Sequence, residues 1–480
     1  MLKTHLLKLF FLGASLLPCT LLIAQSEAVD STQKTVVLHV RAIRIEGNKH
    51  TKEYVLRREM SMAEGDTLHL NSLMKRMKRD EELLMNTSLF NWAKINVQNW
   101  QHDTIDLSVK VDEAMYFYPV PFAELADRNF DEWWNRQGRA LWRINWQLKL
   151  THYNLTGNND RLTGNFQLGY SQKAQVSYRT AYLDKNQTVR ATLSAFYARN
   201  REVQTITRES RQVFLRNDDD YPLQRWRATT EFAYRPRQNY TLTHSLTASY
   251  FNHTITAAVR DSNAAFFNGE LAQQFASLAY TIADDTRDVR PYPYKGHSFW
   301  TALSYDGLIA DNGSPKQITL ESSFFQYFHT GDRISYELGA RAFATLWADR
   351  RVPYYNIDGL GYSNAYARGY DGYVQDGQNW VLAKASVRYK FLDFVYDFGK
   401  MMPITQIRKM PTRAYFTLSS DAAYVQDRYY TNRNPFVNRW LYGGGPGIDI
   451  RIYFENTFSM EYLINHVGER NLFVRIKTAF

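Results

Sequence analysis

The chain has 480 residues and a formal net charge of +10, with 33 Tyr, 28 Phe and 11 Trp against 13 Pro and a single Cys. That length admits two or three ordinary domains, or one small domain beside one large closed sheet, and aromatics diluted among polar residues at a mean hydropathy of −0.47 favour the second. The one cysteine, Cys19, lies in a segment expected to be removed, so disulfide scaffolding, thiol catalysis and cysteine metal sites are excluded from the mature chain.

The chain opens "MLKTHLLKLFFLGASLLPCTLLIAQS", with Lys3 and Lys8 ahead of an apolar run and small or polar residues from Ala24. Residues 1–25 read as a secretory signal peptide, and losing Lys3 and Lys8 lowers the charge from +10 to +8. A basic exported chain suits a charged lumen or anionic lipid headgroups better than nucleic acid. No later apolar stretch reaches the roughly 18 residues a helical membrane span needs.

Residues 36–113 read as a small mixed domain of order βααββ. "VVLHVRAIRIEGN" is strand-like and stops at Gly47-Asn48; "TKEYVLRREM" is helical after Thr51; Gly65-Asp66 turns the chain; "LNSLMKRMKRDEELLMNTSLF" is a second helix. Two period-two segments follow, "WAKINVQNW" and "TIDLSVKVDEA". Residues 114–140, rich in prolines, acids and a Trp pair, read as a linker.

From 141 to 480 the pattern is repeated alternation over about ten residues. In "RLTGNFQLGY" Leu162, Phe166, Leu168 and Tyr170 share one face while Arg161, Thr163, Asn165 and Gln167 share the other. "VLAKASVRYKF" repeats it, with Lys384, Ser386, Arg388 and Lys390 polar, as do "GIDIRIYF" and "NLFVRIKTAF". Short turns such as "LTGNND" coexist with long polar segments such as "RNREVQTITRESRQVFLRNDDDYP". The fold expected is mainly β, an antiparallel transmembrane β-barrel with short turns on one rim and long loops on the other. Its length leaves room for roughly 12 to 18 strands, with about 16 expected. Tyr197, Trp226 and Trp300 at strand ends are expected to form interfacial girdles.

Chemistry-bearing clusters are few. Asp284, Asp285, Arg287 and Asp288 could be a metal or hydrolytic carboxylate group, but the interleaved arginines favour a structural ion network, and no G-x-S-x-G elbow occurs. "LYGGGPGIDI" lacks the Lys-Ser/Thr of a phosphate loop, so its glycines read as a bend or a close approach. No enzyme activity, cofactor or metal is expected.

Four stretches together resemble a known family. "IEGNKHT" resembles the opening of a POTRA module, the periplasmic polypeptide-binding unit of outer-membrane assembly proteins. "DDTRDVRPYPYKGHSF" resembles the D-x-R-D…P-x-x-G-x-x-F strand opening of the superfamily that includes BamA and TamA, carried by Asp285, Arg287, Asp288, Pro293 and Gly296. "ARGY", which is Ala367, Arg368, Gly369 and Tyr370, resembles that superfamily's loop motif, and the terminal Phe480 resembles the C-terminal signal of bacterial outer-membrane barrels. A single-POTRA member is implied, with a surface-antigen barrel in the outer membrane and its N-terminal domain in the periplasm.

The resemblance implies that the sixth outer loop folds into the lumen, where its arginine is held by inner-wall acids. A partly desolvated Arg368 needs an anionic or carbonyl partner, and Gly369 permits a tight turn. In "AYFTLSSDAAYVQD" alternation turns Phe416, Leu418 and Tyr424 outward and Asp421 inward, and the strand resembles the family's F-x-D-x-G, whose aspartate is one partner. The second acid belongs in the strand after the loop, where Ser386 stands instead. A solvated loop cation is the alternative reading of Arg368.

The implied function is outer-membrane protein assembly, insertion or translocation, with unfolded outer-membrane or secreted polypeptide bound by strand addition and passed through a lateral seam or the lumen. Outer-membrane lipid or lipopolysaccharide, and a periplasmic partner through the POTRA-like domain, are the other expected partners, and nucleic acid is not one. A passive outer-membrane channel or receptor, or a barrel hydrolase, is the alternative.

Overall fold

The computed structural model describes residues 36–480 apart from 127–132, 135–137, 185, 187, 218–219, 237–240, 289–291, 363–364, 402–407, 430–433, 453–455 and 478–480. The signal-peptide reading of residues 1–25 and the role expected of Phe480 fall outside the described residues. The chain divides into two compact units, the smaller including Glu59–Asp112 and the larger Glu113–Phe480.

The N-terminal elements run β1 (Val37–Glu46), α1 (Glu53–Glu59), β2 (Thr67–His69), α2 (Leu70–Asn86), β3 (Phe90–Gln101) and β4 (Thr104–Glu113). Their sheet has the order β2-β1-β4-β3, with β1 parallel to β4. The expected βααββ order thus gains one strand, β2, whose three residues are too few to show a period. Helix α2 is built from Leu, Met, Lys, Arg and Glu, all good helix formers, and buries Leu73, Asp80 and Leu84 along one stripe. It stops where Thr87 caps Leu84 O and Ser88 turns left-handed at φ +60°. Ile105, Leu107 and Val109 on β4 are fully buried, each stabilising by about 1.5–3 kcal/mol. On the other face of β4, Asp106 takes Arg41 Nε at 2.8 Å and Asn99 Nδ2 at 2.9 Å, Arg41 standing at a register shift of β1. The Arg41 guanidinium, and then Asn99, hold the Asp106 carboxyl down at about 2.

The larger unit takes in Asn48–Arg58, and its strands begin with β5 (Phe117–Leu125), β6 (Ile144–Tyr153), β7 (Arg161–Gly169), β8 (Ser171–Tyr182), β9 (Val189–Asn200), β10 (Glu202–Arg208), β11 (Arg211–Arg216), β12 (Leu223–Tyr234) and β13 (Leu242–Ile255). After α3 (Ala257–Ser262) come β14 (Ala272–Asp285), β15 (Gly296–Leu308), β16 (Gln317–Thr330), β17 (Ile334–Ala348), β18 (Gly359–Leu360) and β19 (Gln375–Asp376). The last strands are β20 (Asn379–Asp397), β21 (Lys409–Gln426), β22 (Trp440–Ile452), β23 (Asn456–Asn465) and β24 (Arg470–Lys477). Sixteen of these form one antiparallel sheet running from β24 to β5, and β10–β11 and β18–β19 are separate two-stranded pairs within its loops.

Alternation decides which face each residue takes. Trp146 and Leu148 on β6, Phe166 and Leu168 on β7 and Phe416 and Leu418 on β21 are exposed on the outer face, the pattern expected of a barrel whose strands face hydrocarbon. Their neighbours Asn145, Gln167 and Asp421 are buried inside. Tyr197 and Trp226 pair on the outer face with ring centroids 4.3 Å apart. Trp300, expected in a girdle, instead lies opposite Ser323 and lines the interior cavity, because its register puts it on the inward face of β15.

One expected boundary moves. Phe117–Leu125, assigned to a linker over 114–140, is the first strand of the large sheet and pairs with β6 in continuous register. Pro119 and Pro121 hid it, since proline argues against a strand everywhere except at a sheet edge, which is where β5 lies.

Candidate functional site

The segment between β17 and β20 turns back on itself through β18 and β19 and through a bridge between Tyr362 and Ala365. Those internal bonds let a long loop keep one shape inside the barrel instead of leaving its backbone groups unpaired. Its tip is the A-R-G-Y stretch. Ala367 and Tyr370 are buried, and the Tyr370 ring meets Phe436 edge-on at 5.3 Å. Gly369 takes φ +85°, a conformation that costs most other residues.

Arg368 reaches the inner wall. Its Nη1 lies 2.8 Å from Asp421 Oδ1, its backbone N–H donates to Asp421 Oδ2 at 2.9 Å, and its Nε donates to Glu461 Oε1 at 3.1 Å. The Asp421 side chain is fully buried and that of Arg368 is 14% exposed. Each acid holds a second cation: Lys384 Nζ is 3.0 Å from Asp421 Oδ2, and Arg475 pairs with Glu461. Arg475 also pairs with Asp371 in the loop itself. Three cations thus meet three carboxylates, the pairing that buried charge requires. The Tyr366 ring lies between Lys384 and Arg475, at 4.5 and 4.9 Å.

The wall is shaped for this loop. A Cβ on Gly443 would fall 1.9 Å from the carbonyl oxygen of Arg368, so only glycine lets the tip approach β22. Asn465 Nδ2 donates to Gly369 O at 3.0 Å, and Tyr373 OH donates to Glu469 at 2.6 Å. Burial pushes the Tyr370 hydroxyl up to about 12 and the His466 imidazole down, so a neutral hydroxyl faces a neutral ring in their hydrogen bond.

Ser386, at the position implied for the second acid, shares a hydrogen bond with Ser419 at 3.1 Å. Glu461 on β23 occupies that electrostatic place instead. Glu461 and Arg475 were missed, although the signal was present. The alternation that turns Met460 and Tyr462 outward turns Glu461 inward, and the one that turns Leu472 and Val474 outward does the same for Arg475.

The strand-opening motif forms the connection from β14 to β15. Arg287 forks onto Asp285 at 2.8 and 2.9 Å, Asp288 accepts the Tyr294 N–H at 3.0 Å, and Gly296 at φ +98° leaves no room for a Cβ beside Thr286 O. Asp284 pairs instead with His297 at 3.0 Å on the outer face, so the adjacent carboxylates of Asp284 and Asp285 do not converge. No grouping of His, Cys, Asp and Glu suited to a metal occurs among the described residues.

This connection also enters the lumen. Tyr292 OH donates to Asp449 on β22 at 2.9 Å, and Tyr294 OH lies 2.6 Å from Tyr415 OH on β21. Pro293 O is 3.5 Å from Arg388 Nη1, and the Arg388 guanidinium covers the Tyr292 ring at 4.3 Å. In the sheet, β16, β17 and β20 separate β15 from β21, so these contacts cross the interior. Between this turn and the Arg368 tip lies a cavity of about 510 Å³, whose lining includes Tyr366, Arg388, Glu337 and Tyr292.

Comparison with known proteins places these features. A family model described as "POTRA: Surface antigen variable number repeat" matches residues 38–114. Among solved structures, BamA from Haemophilus ducreyi lacking POTRA domains 1-3 aligns at a TM-score of 0.57 and 16% identity, over 92% of this chain and 84% of that one. CdiB from Escherichia coli aligns at a TM-score of 0.57 and 11% identity, over 92% and 76%. No curated protein matches by sequence. Residues 38–114 are therefore a POTRA module, and with the sixteen-stranded sheet that follows they give the chain the module-plus-barrel fold of BamA and CdiB.

Proposed function

We propose that this chain is an outer-membrane protein assembly or translocation factor. Its barrel sits in the bacterial outer membrane, its POTRA module faces the periplasm, and its substrate is unfolded outer-membrane or secreted polypeptide bound by strand addition at the seam between β5 and β24. The observation that carries this reading is the free edge of β5. Alternate residues of a strand turn their N–H groups to opposite sides. Ala126 N–H and Tyr116 O both bond toward β6, so even-numbered residues face β6 and odd-numbered ones face away. Pro119 and Pro121 occupy two of the odd positions, and proline has no N–H. The edge that would close the barrel therefore lacks two donors, and among the described residues no ladder joins β5 to β24.

A donor-poor seam is easily parted, and β24 then offers its own unpaired backbone to an incoming strand. Pairing that backbone and burying the substrate's apolar face in lipid supply the free energy without a nucleotide. The lateral route is favoured over the lumen because the Arg368 tip and the Tyr292 turn both obstruct the interior, which also counts against a passive channel. Depleting the protein and measuring the outer-membrane proteome tests the reading. Loss of many barrel proteins identifies an insertase and loss of one surface protein a dedicated exporter. An unchanged proteome with altered solute uptake overturns the proposal.

A further inference from the structure

The β10–β11 hairpin reaches from the first strands of the sheet to the connections between β17 and β20 and between β21 and β22. Its root is held beside the first strands. Glu202, which opens β10, pairs with Arg143 Nη1 at 2.7 Å, and both side chains are nearly buried. Tyr170 OH donates to the same Glu202 oxygen at 2.7 Å. Arg143 O accepts the N–H of Ala126, the residue after β5, at 2.8 Å, and Arg143 directly precedes β6. The root is thus anchored to the N-terminal margin of the seam.

Its tip is held at the other side. Ser210 N–H donates to Asn434 Oδ1 at 3.1 Å, and Ser210 O accepts the Val374 N–H at 2.7 Å. The two turn residues, Glu209 and Ser210, take φ +51° and +57°, where Asn-Gly is the favoured pair. A left-handed Glu-Ser turn is kept in that conformation by its docking. Midway, Gln204 Nε2 donates to Tyr354 OH at 2.9 Å and Tyr362 OH at 2.8 Å, both in the loop that carries Arg368. From that loop, Arg368 reaches Glu461 on β23 and Asp371 reaches Arg475 on β24.

We infer that this hairpin is a latch: it joins the β5–β6 margin, through the Arg368 loop, to the β23–β24 margin, and holds shut a seam that the backbone ladder leaves weak. The inference rests on the seam proposed above. It adds that the hairpin must disengage at its root or its tip before the seam parts, so substrate strand addition is coupled to an event at the outer surface.

The test places spin labels on the outward positions Phe117 of β5 and Leu472 of β24 in the full chain reconstituted in lipid. Two variants loosen the latch at different ends, Glu202→Gln at the root and Asn434→Ala at the tip. Each is expected to shift the label-to-label distribution to longer and broader distances. A Ser210→Cys, Val374→Cys pair is expected to narrow it when oxidised and to release it on reduction. Distances unchanged in both loosening variants, with folding verified by circular dichroism, overturn the latch. Because this readout needs no substrate, the latch can fail while the proteome assay succeeds, or stand while it fails.

Discussion

At the scale of single residues, the charges around Arg368 are shared, and that sets what a substitution costs. Removing one partner of an isolated buried pair costs about 3–5 kcal/mol. In Arg368→Ala, Asp421 keeps Lys384 and Glu461 keeps Arg475, so the loss should fall below that range. The expected result is an intact barrel that unfolds at lower temperature on heat-modifiability gels, with assembly activity lost; wild-type activity would count against the docked loop. Gly443→Ala acts differently, since its methyl meets a backbone oxygen that cannot rotate away, at a cost of about 1–3 kcal/mol or expulsion of the tip. Faster proteolysis between β17 and β20, with unchanged circular dichroism, would report it. Asp106 in the POTRA module gives the pH dependence. Its folded pKa is depressed, so its stabilisation is present above the ordinary carboxylate value and is lost as pH falls toward about 2. Asp106→Asn should therefore speed amide exchange in β1, β3 and β4 at neutral pH, and the difference from wild type should vanish near that pH. Asp421 was legible because its strand alternates cleanly over many residues. Glu461 was not, because the position that the resemblance implies for the second acid lies on β20, where Ser386 stands, and the acid that meets Arg368 comes from β23 instead.

At the scale of elements, the decisive strand is the one that composition disguised. Proline reads as a breaker because a central strand needs both its edges, yet on β5 only one edge is in use. Restoring the missing donors with Pro119→Val and Pro121→Val should let β5 pair with β24. The double variant should need a higher temperature to unfold in detergent and should lose assembly activity, because a seam closed by a full ladder no longer admits a strand. Retained activity with raised stability would show that the seam is not the route. The β10–β11 hairpin was hidden for another reason. "EVQTITR" and "RQVFLR" alternate, but the turn between them is Glu-Ser and carries no Gly or Asn to mark it, so the stretch reads as polar loop. What the repeated alternation did carry was the barrel itself, its inward and outward faces and its number of strands. Those depend only on period and length, whereas a loop's path into the lumen depends on residues far away in the chain.

At the scale of the whole barrel, the lumen holds two obstructions in series, and series barriers have a signature. The Arg368 tip is held by ion pairs on β21 and β23, and the Tyr292–Tyr294 turn by hydroxyl contacts to β21 and β22, so the two are fixed by different bonds. Ion flow through two constrictions in line is limited by whichever remains closed. Arg368→Ala alone should leave the turn in place, and Tyr292→Ala with Tyr294→Ala should leave the tip in place. Each should show single-channel conductance in a planar bilayer close to that of the wild type. All three substitutions together should open a continuous path from the outer mouth through the cavity and past the turn, and conductance should rise sharply. A large conductance from the tyrosine variant alone would mean that the loop tip does not seal the lumen. The lumen would then become a credible route for the polypeptide, in place of the seam.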